Sequence, residues 1–391
     1  MIRLGSSPAP VPGAPIPDAP IPHTVLARAG EGPWPRYRIV GLVHLGDGHL
    51  LAAFDGRDTG QDVPDPTGLV QRRSLDGGRS WGPFEDLRAA DREGRQWYCD
   101  PSYLHDPASG RLFVFHTHAK DRGVWDASAG TDDTDRDVMG SAVGISEDSG
   151  RSWGFRSVTA VAAPPELIRT AFPTSGAGIV LRRGPHAGRL LQPYCGWFHA
   201  DGRDGDAPGA GERPAGGEVV RSYVLFSDDH GESWQRGAPV GEDMDETTIA
   251  ELSDGRVMLN SRDHARGGHR RIAVSADGGQ SWEDRGVDDQ FVDPGNNAQL
   301  ASRWPDAPAA DPRARELLFS NAHDRFARIR GTLSVSHDDG KTWHEVLVFE
   351  PGPLDYPVVQ ALDDGAIGLL WEVQAREIRF ARIPAEQLPR A

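Results

Sequence analysis

One octapeptide pattern, Ser-x-Asp-x-Gly-x-Ser/Thr-Trp, occurs five times along the chain, at Ser74–Trp81, Ser146–Trp153, Ser227–Trp234, Ser275–Trp282 and Ser336–Trp343. A fixed pattern returning at intervals of tens of residues marks one supersecondary unit used over and over. Each copy follows a run of strand character, such as Leu69–Arg73 or Arg271–Val274, so the pattern reads as a turn closing a strand pair. The Asp suits the backbone N–H groups of such a turn, and the Gly supplies positive φ. The Trp, five of the chain's 11, is a large apolar anchor beneath it. This turn is the Asp-box, and its aspartates are expected to be structural.

A second, independent repeat sets turn residues before an apolar strand. It occurs at Gly46–Leu51, Ser109–Phe113, Ala187–Leu191, Asp254–Met258, Arg315–Phe319 (without its Gly) and Asp364–Gly368. The five Asp-boxes follow the first five of these in order, and the segment after Trp343 leaves room for one more unit without a box. Six units of about 60 to 65 residues account for nearly all of the 391 residues. Four-stranded units repeated radially hide their sheet edges by closing a ring, so the fold class is all-β and the expected architecture is a six-bladed β-propeller with five Asp-boxes. The Gly and Pro content, 47 and 31 residues, agrees with many short strands and tight turns. Two insertions stand out, 121–137 and 201–218, the second expected to be floppy.

The formal charge of −16 is the wrong sign for wrapping a phosphate backbone, which excludes nucleic acid as a partner. No apolar run approaches the roughly 18 to 20 residues of a membrane-spanning helix. Residues 1–30 are Pro- and Ala-rich, without a basic segment leading into an apolar one, and read as a disordered lead-in with no visible signal peptide. The propeller domain is placed at 31–391. Cys99 and Cys195 are the only cysteines and read as free thiols.

Three motif look-alikes fail on their own terms. Gly340–Lys341–Thr342 imitates the end of a phosphate-binding loop, but Val335 stands where that motif needs Gly, and an Asp-box explains the three residues. Asp133, Asp135 and Asp137 alternate as in a calcium loop, yet Val138 and Gly144 occupy the places of its Gly and Glu. His116 and His118 share a strand face without an evident third ligand. No catalytic metal and no cofactor are expected.

What remains is a series outside the boxes: Tyr37–Arg38–Ile39, Asp55–Gly56–Arg57, Asp62, Asp100–Pro101–Ser102–Tyr103, Met244–Asp245–Glu246, Asn260–Ser261–Arg262–Asp263, Arg328, Tyr356 and Glu372. In order and spacing, over about residues 35–380, it resembles the bacterial exo-α-sialidases, retaining glycoside hydrolases. One departure is Val40, where that family has Pro after Arg-Ile; this changes backbone stiffness and leaves the charge alone. The resemblance implies that Arg38, Arg262 and Arg328 bind the carboxylate of a sialic acid, with Glu372 bracing Arg38. It implies Tyr356 as nucleophile, Glu246 as its base and Asp62 as general acid and base. Arg57 and Asp100 match positions on the far side of the sugar, around its O4 hydroxyl.

These roles suit the chemistry. Guanidinium groups match a planar carboxylate in charge and shape. A substrate with a carboxylate on its anomeric carbon would repel a carboxylate nucleophile, and sialidases are the glycosidases that use Tyr instead. The expected activity is hydrolysis of terminal α-linked sialic acids on glycans, glycoproteins or glycolipids, by a monomer. A trans-sialidase or a hydrolase of a related nonulosonic acid would carry the same residues. The rival from another class is a non-catalytic glycan-binding propeller, which need not keep Tyr356, Glu246 and Asp62 together.

Overall fold

In the computed structural model, which describes residues 19–200 and 217–388, six sheets stand around one axis, antiparallel except where the short strand Gly176–Ala177 adds parallel to Trp97–Asp106 of the second. Five blades are built from consecutive stretches of chain, 36–88, 97–157, 168–236, 244–292 and 299–353. The sixth takes three strands from 357–383 and its outermost strand, Thr24–Arg28, from the other end of the chain. That strand pairs antiparallel with Glu377–Ile383 and closes the ring. The boundary at residue 31 is therefore corrected, because the short apolar run Val25–Leu26–Ala27 packs its Leu26 and Ala27 into the seam between the last and first blades. Residues 1–18, and 201–216 of the second insertion, lie outside the described residues.

The third strands of blades 1 to 5 end on the first residue of an Asp-box, at Ser74, Ser146, Ser227, Ser275 and Ser336. Each box closes on itself in the same way. In the fourth, Ser275 Oγ donates to Asp277 Oδ1 (2.8 Å), Ser281 N donates to the same oxygen (2.9 Å) and Gly279 N donates to Ser275 Oγ (2.8 Å). The glycines take φ of 77° to 87°, and a Cβ on Gly231 would fall 2.3 Å from the Phe113 ring, so both conformation and space require Gly there.

The box tryptophans act across the seams. Trp81 of blade 1 meets Phe380 of blade 6 (5.0 Å between ring centres), and Trp234 of blade 3 meets Phe115 of blade 2 (4.9 Å). Buried clusters fill all six seams, and a box Trp packs at five of them. At the seam of blades 5 and 6, where no box stands, fully buried Trp371 meets Phe349 at a tilt (5.2 Å between ring centres) and donates Nε1 to Glu350 Oε2 (3.2 Å). The Trp thus buries apolar surface where independent blades must be joined, which is where a ring of small sheets needs it most. Among the described residues, no helix is long and apolar enough to cross a membrane.

Candidate active site

Strand direction selects the residues of the site. First and third strands of every blade start at one end of the axis and second strands finish there. Arg38, Asp100 and Glu246 lie near the starts of first strands, and Tyr356 immediately precedes one. Arg57, Arg262 and Glu372 lie at the finish of second strands, and Arg328 just ahead of a third. All therefore collect at one axial end, and the Asp-boxes, at the finish of third strands, stand at the other. A cavity of about 240 Å³ at the first end is lined by Arg38, Arg57, Asp62, Asp100, Glu246, Arg262, Arg328 and Tyr356 together. Glu372 is fully buried behind Arg38.

Regular strands would not aim these side chains correctly, since neighbouring residues point to opposite faces. Three first strands break register at the point of use, between Arg38 and Val40, between Cys99 and Ser102, and between Met244 and Thr247. Bulges of this kind redirect side chains. Ile39 and Asp100 sit at φ 52° and 61°, costly for residues with a Cβ and especially for a β-branched one. What holds Ile39 there is Glu372, whose Oε2 accepts its N–H at 3.0 Å while Oε1 accepts Arg38 Nε at 3.0 Å. Asp100 N–H donates to Asp55 Oδ1 at 3.1 Å.

Every arginine of the set has an acidic partner in the pocket. Arg38 Nη1 donates to Asp62 Oδ1 (2.9 Å), Arg262 Nη1 to Glu246 Oε2 (2.5 Å) and Arg328 Nη1 to Asp355 Oδ1 (3.2 Å). Arg57 donates both Nε and Nη2 to Asp55 Oδ2 (3.0 and 2.7 Å) and Nη1 to Asp62 (2.7 Å). The Asp62 side chain is 64% exposed, against 6% for Glu246, 18% for Asp355 and 0% for Asp55. Burial raises its proton affinity, but Arg57 and Arg38 outweigh that and hold the carboxyl below its ordinary range.

Tyr356 stands at the centre, 6% exposed, lining the pocket together with Glu246, with the Arg328 guanidinium 5.7 Å from its ring centre. Burial and the Glu246 carboxylate push its phenol well above the ordinary value, against the pull of Arg262 and Arg328. Burial also raises Glu246, with Arg262 opposing. A proton shared by this pair is thus held by the phenol at rest, with an acceptor of raised basicity beside it.

Several residues of the site have no sequence-derived role. Asp55, pushed up to about 8 by burial despite Arg57, ties Arg57 and the Asp100 backbone into one unit; with Cys99 and Asp100 it forms a close trio of potential ligand atoms. Phe172, Trp197 and Trp125 form an aromatic wall, Trp125 meeting Trp197 edge-on at 5.7 Å while itself 64% exposed. Trp125 brings the 121–137 insertion into the site. Asp62 and Glu246, Tyr356 and the four arginines were visible as types; these partners were not, because their meaning comes from neighbours distant in sequence. Cys99 and Cys195 are both free and buried.

A closed ring with tethered arginines and a buried Tyr and Glu at one mouth defines the class of protein: a propeller with an axial pocket lined by arginines and carboxylates. Residues 48–369 match the model of the BNR repeat-like domain. The chain belongs to that family. It is 43% identical over 357 residues, 91% of this chain, to a sialidase of Micromonospora viridifaciens, and spans 52% of that relative's length. In three dimensions it is similar to the Hadza microbial sialidase Hz136 (TM-score 0.78, 24% identity, 94% of this chain and 69% of that one). It is likewise similar to the intramolecular trans-sialidase from Ruminococcus gnavus (TM-score 0.76, 18% identity, 96% of this chain and 100% of that one).

Proposed function

We propose that this chain is the catalytic propeller of a retaining exo-α-sialidase, releasing terminal α-linked sialic acid from glycans, glycoproteins or glycolipids through a covalent tyrosyl intermediate. The observation that carries the reading is the buried Tyr356 in one pocket with the Glu246 carboxylate and the guanidinium groups of Arg38, Arg262 and Arg328. A core aromatic would have no use for a carboxylate and three cations around it.

In the proposed cycle the substrate carboxylate is taken by the three guanidinium groups, displacing Asp62 from Arg38. Tyr356 Oη attacks the anomeric carbon while its proton passes to Glu246. Asp62, protonated, gives its proton to the departing glycosidic oxygen. In the second half Asp62 takes a proton from water, whose oxygen displaces Tyr356, and the phenol recovers its proton from Glu246. Two inversions give net retention. Arg57 and Asp100, locked together through Asp55, face the far side of the sugar.

Release of a fluorescent aglycone from an α-sialoside, with proton NMR of the first sugar formed, tests this. The α-anomer is expected first. The β-anomer first would sink the tyrosyl intermediate, and no release from sialosides with different C5 groups would leave a binding propeller. A sugar product joined to an added acceptor instead of water would mark a transferase.

The Asp62 geometry also sets a pH signature. The acid must be protonated, so rate falls as pH rises through its pKa. In the free enzyme Arg57 and Arg38 hold that pKa low; in the complex a substrate carboxylate has replaced Asp62 on Arg38, which raises it. Because kcat/KM reports the free enzyme and kcat the complex, kcat/KM is expected to decline with rising pH across a range where kcat is still level. Coincident limbs would show that Asp62 does not leave Arg38.

A further inference from the structure

Asp245 and Glu246 are consecutive residues of a strand, yet both line the pocket, because the register break between Met244 and Thr247 turns both inward. Glu246 has a place in the proposed cycle; Asp245 has none, although it is buried and well connected. Its Oδ1 accepts the Glu246 backbone N–H at 2.8 Å. Its Oδ2 stands 3.7 Å from Arg262 Nε, beyond hydrogen-bond range, and 2.9 Å from His264 Nδ1. Arg262 Nε is buried and without a hydrogen-bond partner. The Asp245 oxygen on its side is bonded to the histidine instead.

We propose that His264 is a positioning residue for substrate binding: when protonated, it holds Asp245 off the Arg262 guanidinium, which then stays directed at Glu246 and at the substrate carboxylate. This rests on the sialoside reading above. With Asp245 uncompensated, its carboxylate competes with substrate for Arg262. With His264 charged, that competition is met from behind. The side chain is 31% exposed, and its ring meets Trp197 of blade 3 edge-on at 6.2 Å, so protons reach it without passing through the pocket.

The charged groups around it among the described residues favour the protonated form. The hydrogen bond to Asp245 raises the imidazole above its ordinary value; burial and Arg262 oppose this, and Asp243 adds to it. From blade 3, Glu218 and Arg169 share the groove beside His264 but are ion-paired with each other at 2.5 Å, and Glu242, which lines the same groove, stands 3.6 Å from Arg221.

His264→Gln removes the charge and keeps a polar side chain. On an α-sialoside at pH 6 it is expected to raise KM roughly three- to tenfold, with a smaller effect on kcat, the effect of losing one screened charge behind a binding group. Beyond the rise in KM that Asp62 imposes on both proteins, wild-type KM rises further as pH passes the His264 pKa and that of His264→Gln does not, and His264→Lys, whose charge persists, holds that further rise off to higher pH. In the free protein, the Arg262 Nε–H resonance, identified by its loss in Arg262→Lys, moves through the same pH range in wild type and not in His264→Gln. Superimposable KM profiles for wild type and His264→Gln, or an Nε–H resonance that ignores pH, would overturn the proposal. The NMR arm needs no turnover, so an inactive wild type would overturn the sialoside reading while this arm still judged the histidine.

Discussion

Tyr356→Phe should lower kcat on an aryl α-sialoside by roughly a thousandfold or more, the scale on which a nucleophile's removal is felt, while the thermal midpoint stays close to wild type. The ring fills the same space in the seam between blades 6 and 1, where it packs with Val358 and Leu370. Only the hydroxyl is lost. Glu246 keeps its bond from Arg262 at 2.5 Å, so no buried carboxylate is left without a partner and the cost to stability is small. Arg38, Arg262 and Arg328 are untouched, so KM should change far less than kcat. Aglycone release by stopped assay, with KM measured alongside, checks both halves. If more than roughly a tenth of kcat survives, covalent catalysis through this phenol is wrong, and Tyr356 is the core aromatic that its burial alone would suggest.

The contrast between what the sequence announced and what it concealed follows from the range of the interactions. An Asp-box is self-contained: Ser275, Asp277, Gly279 and Ser281 bond one another within seven residues, so the pattern of residues and the turn are the same information. The count of six units followed from the second repeat, turn residues before an apolar strand, which is just as local, since the boxes number only five. Ring closure by Thr24–Arg28 did not, because a five-residue strand beside a Pro-rich lead-in has no local mark of the partner, Glu377–Ile383, that makes it a strand. The charged residues of the pocket were legible as a resembling series, and the axial end where they meet follows from their positions at strand starts and finishes. Their aim was not legible. It depends on bulges at Ile39, at Asp100 and ahead of Thr247, and nothing in the type of an isoleucine suggests φ of 52°. Nor could Asp55 or His264 be assigned a part, since one is defined by holding Arg57 and Asp100 and the other by the carboxylate of Asp245.

Glu372→Ala is expected to cost both stability and binding, and the two losses have one origin. Glu372 is fully buried and accepts from Arg38 Nε and from the N–H of Ile39, each at 3.0 Å. Breaking a buried ion pair by removing one partner typically costs about 3–5 kcal/mol. Arg38 would keep Asp62 at 2.9 Å, which places the charge part at the lower end. The orphaned N–H adds about 1–3 kcal/mol, unless Ile39 leaves its positive φ, which recovers strain of similar size but swings Arg38 out of the pocket. Either route is measurable. Urea unfolding should show the midpoint falling by an amount equivalent to about 3 kcal/mol or more with the slope unchanged, and folded protein at low denaturant should show KM for an α-sialoside raised at least roughly tenfold. Glu372→Gln separates charge from hydrogen bonding: its one carbonyl oxygen can serve Arg38 or Ile39 but not both, and its amide then faces the donor left over, so it should fall between wild type and Ala on both scales. A Glu372→Ala protein with wild-type midpoint and KM would mean that the bulge at Ile39 holds itself, and that the strained residue beside Arg38 is kept in place by blade packing instead of by the carboxylate behind it.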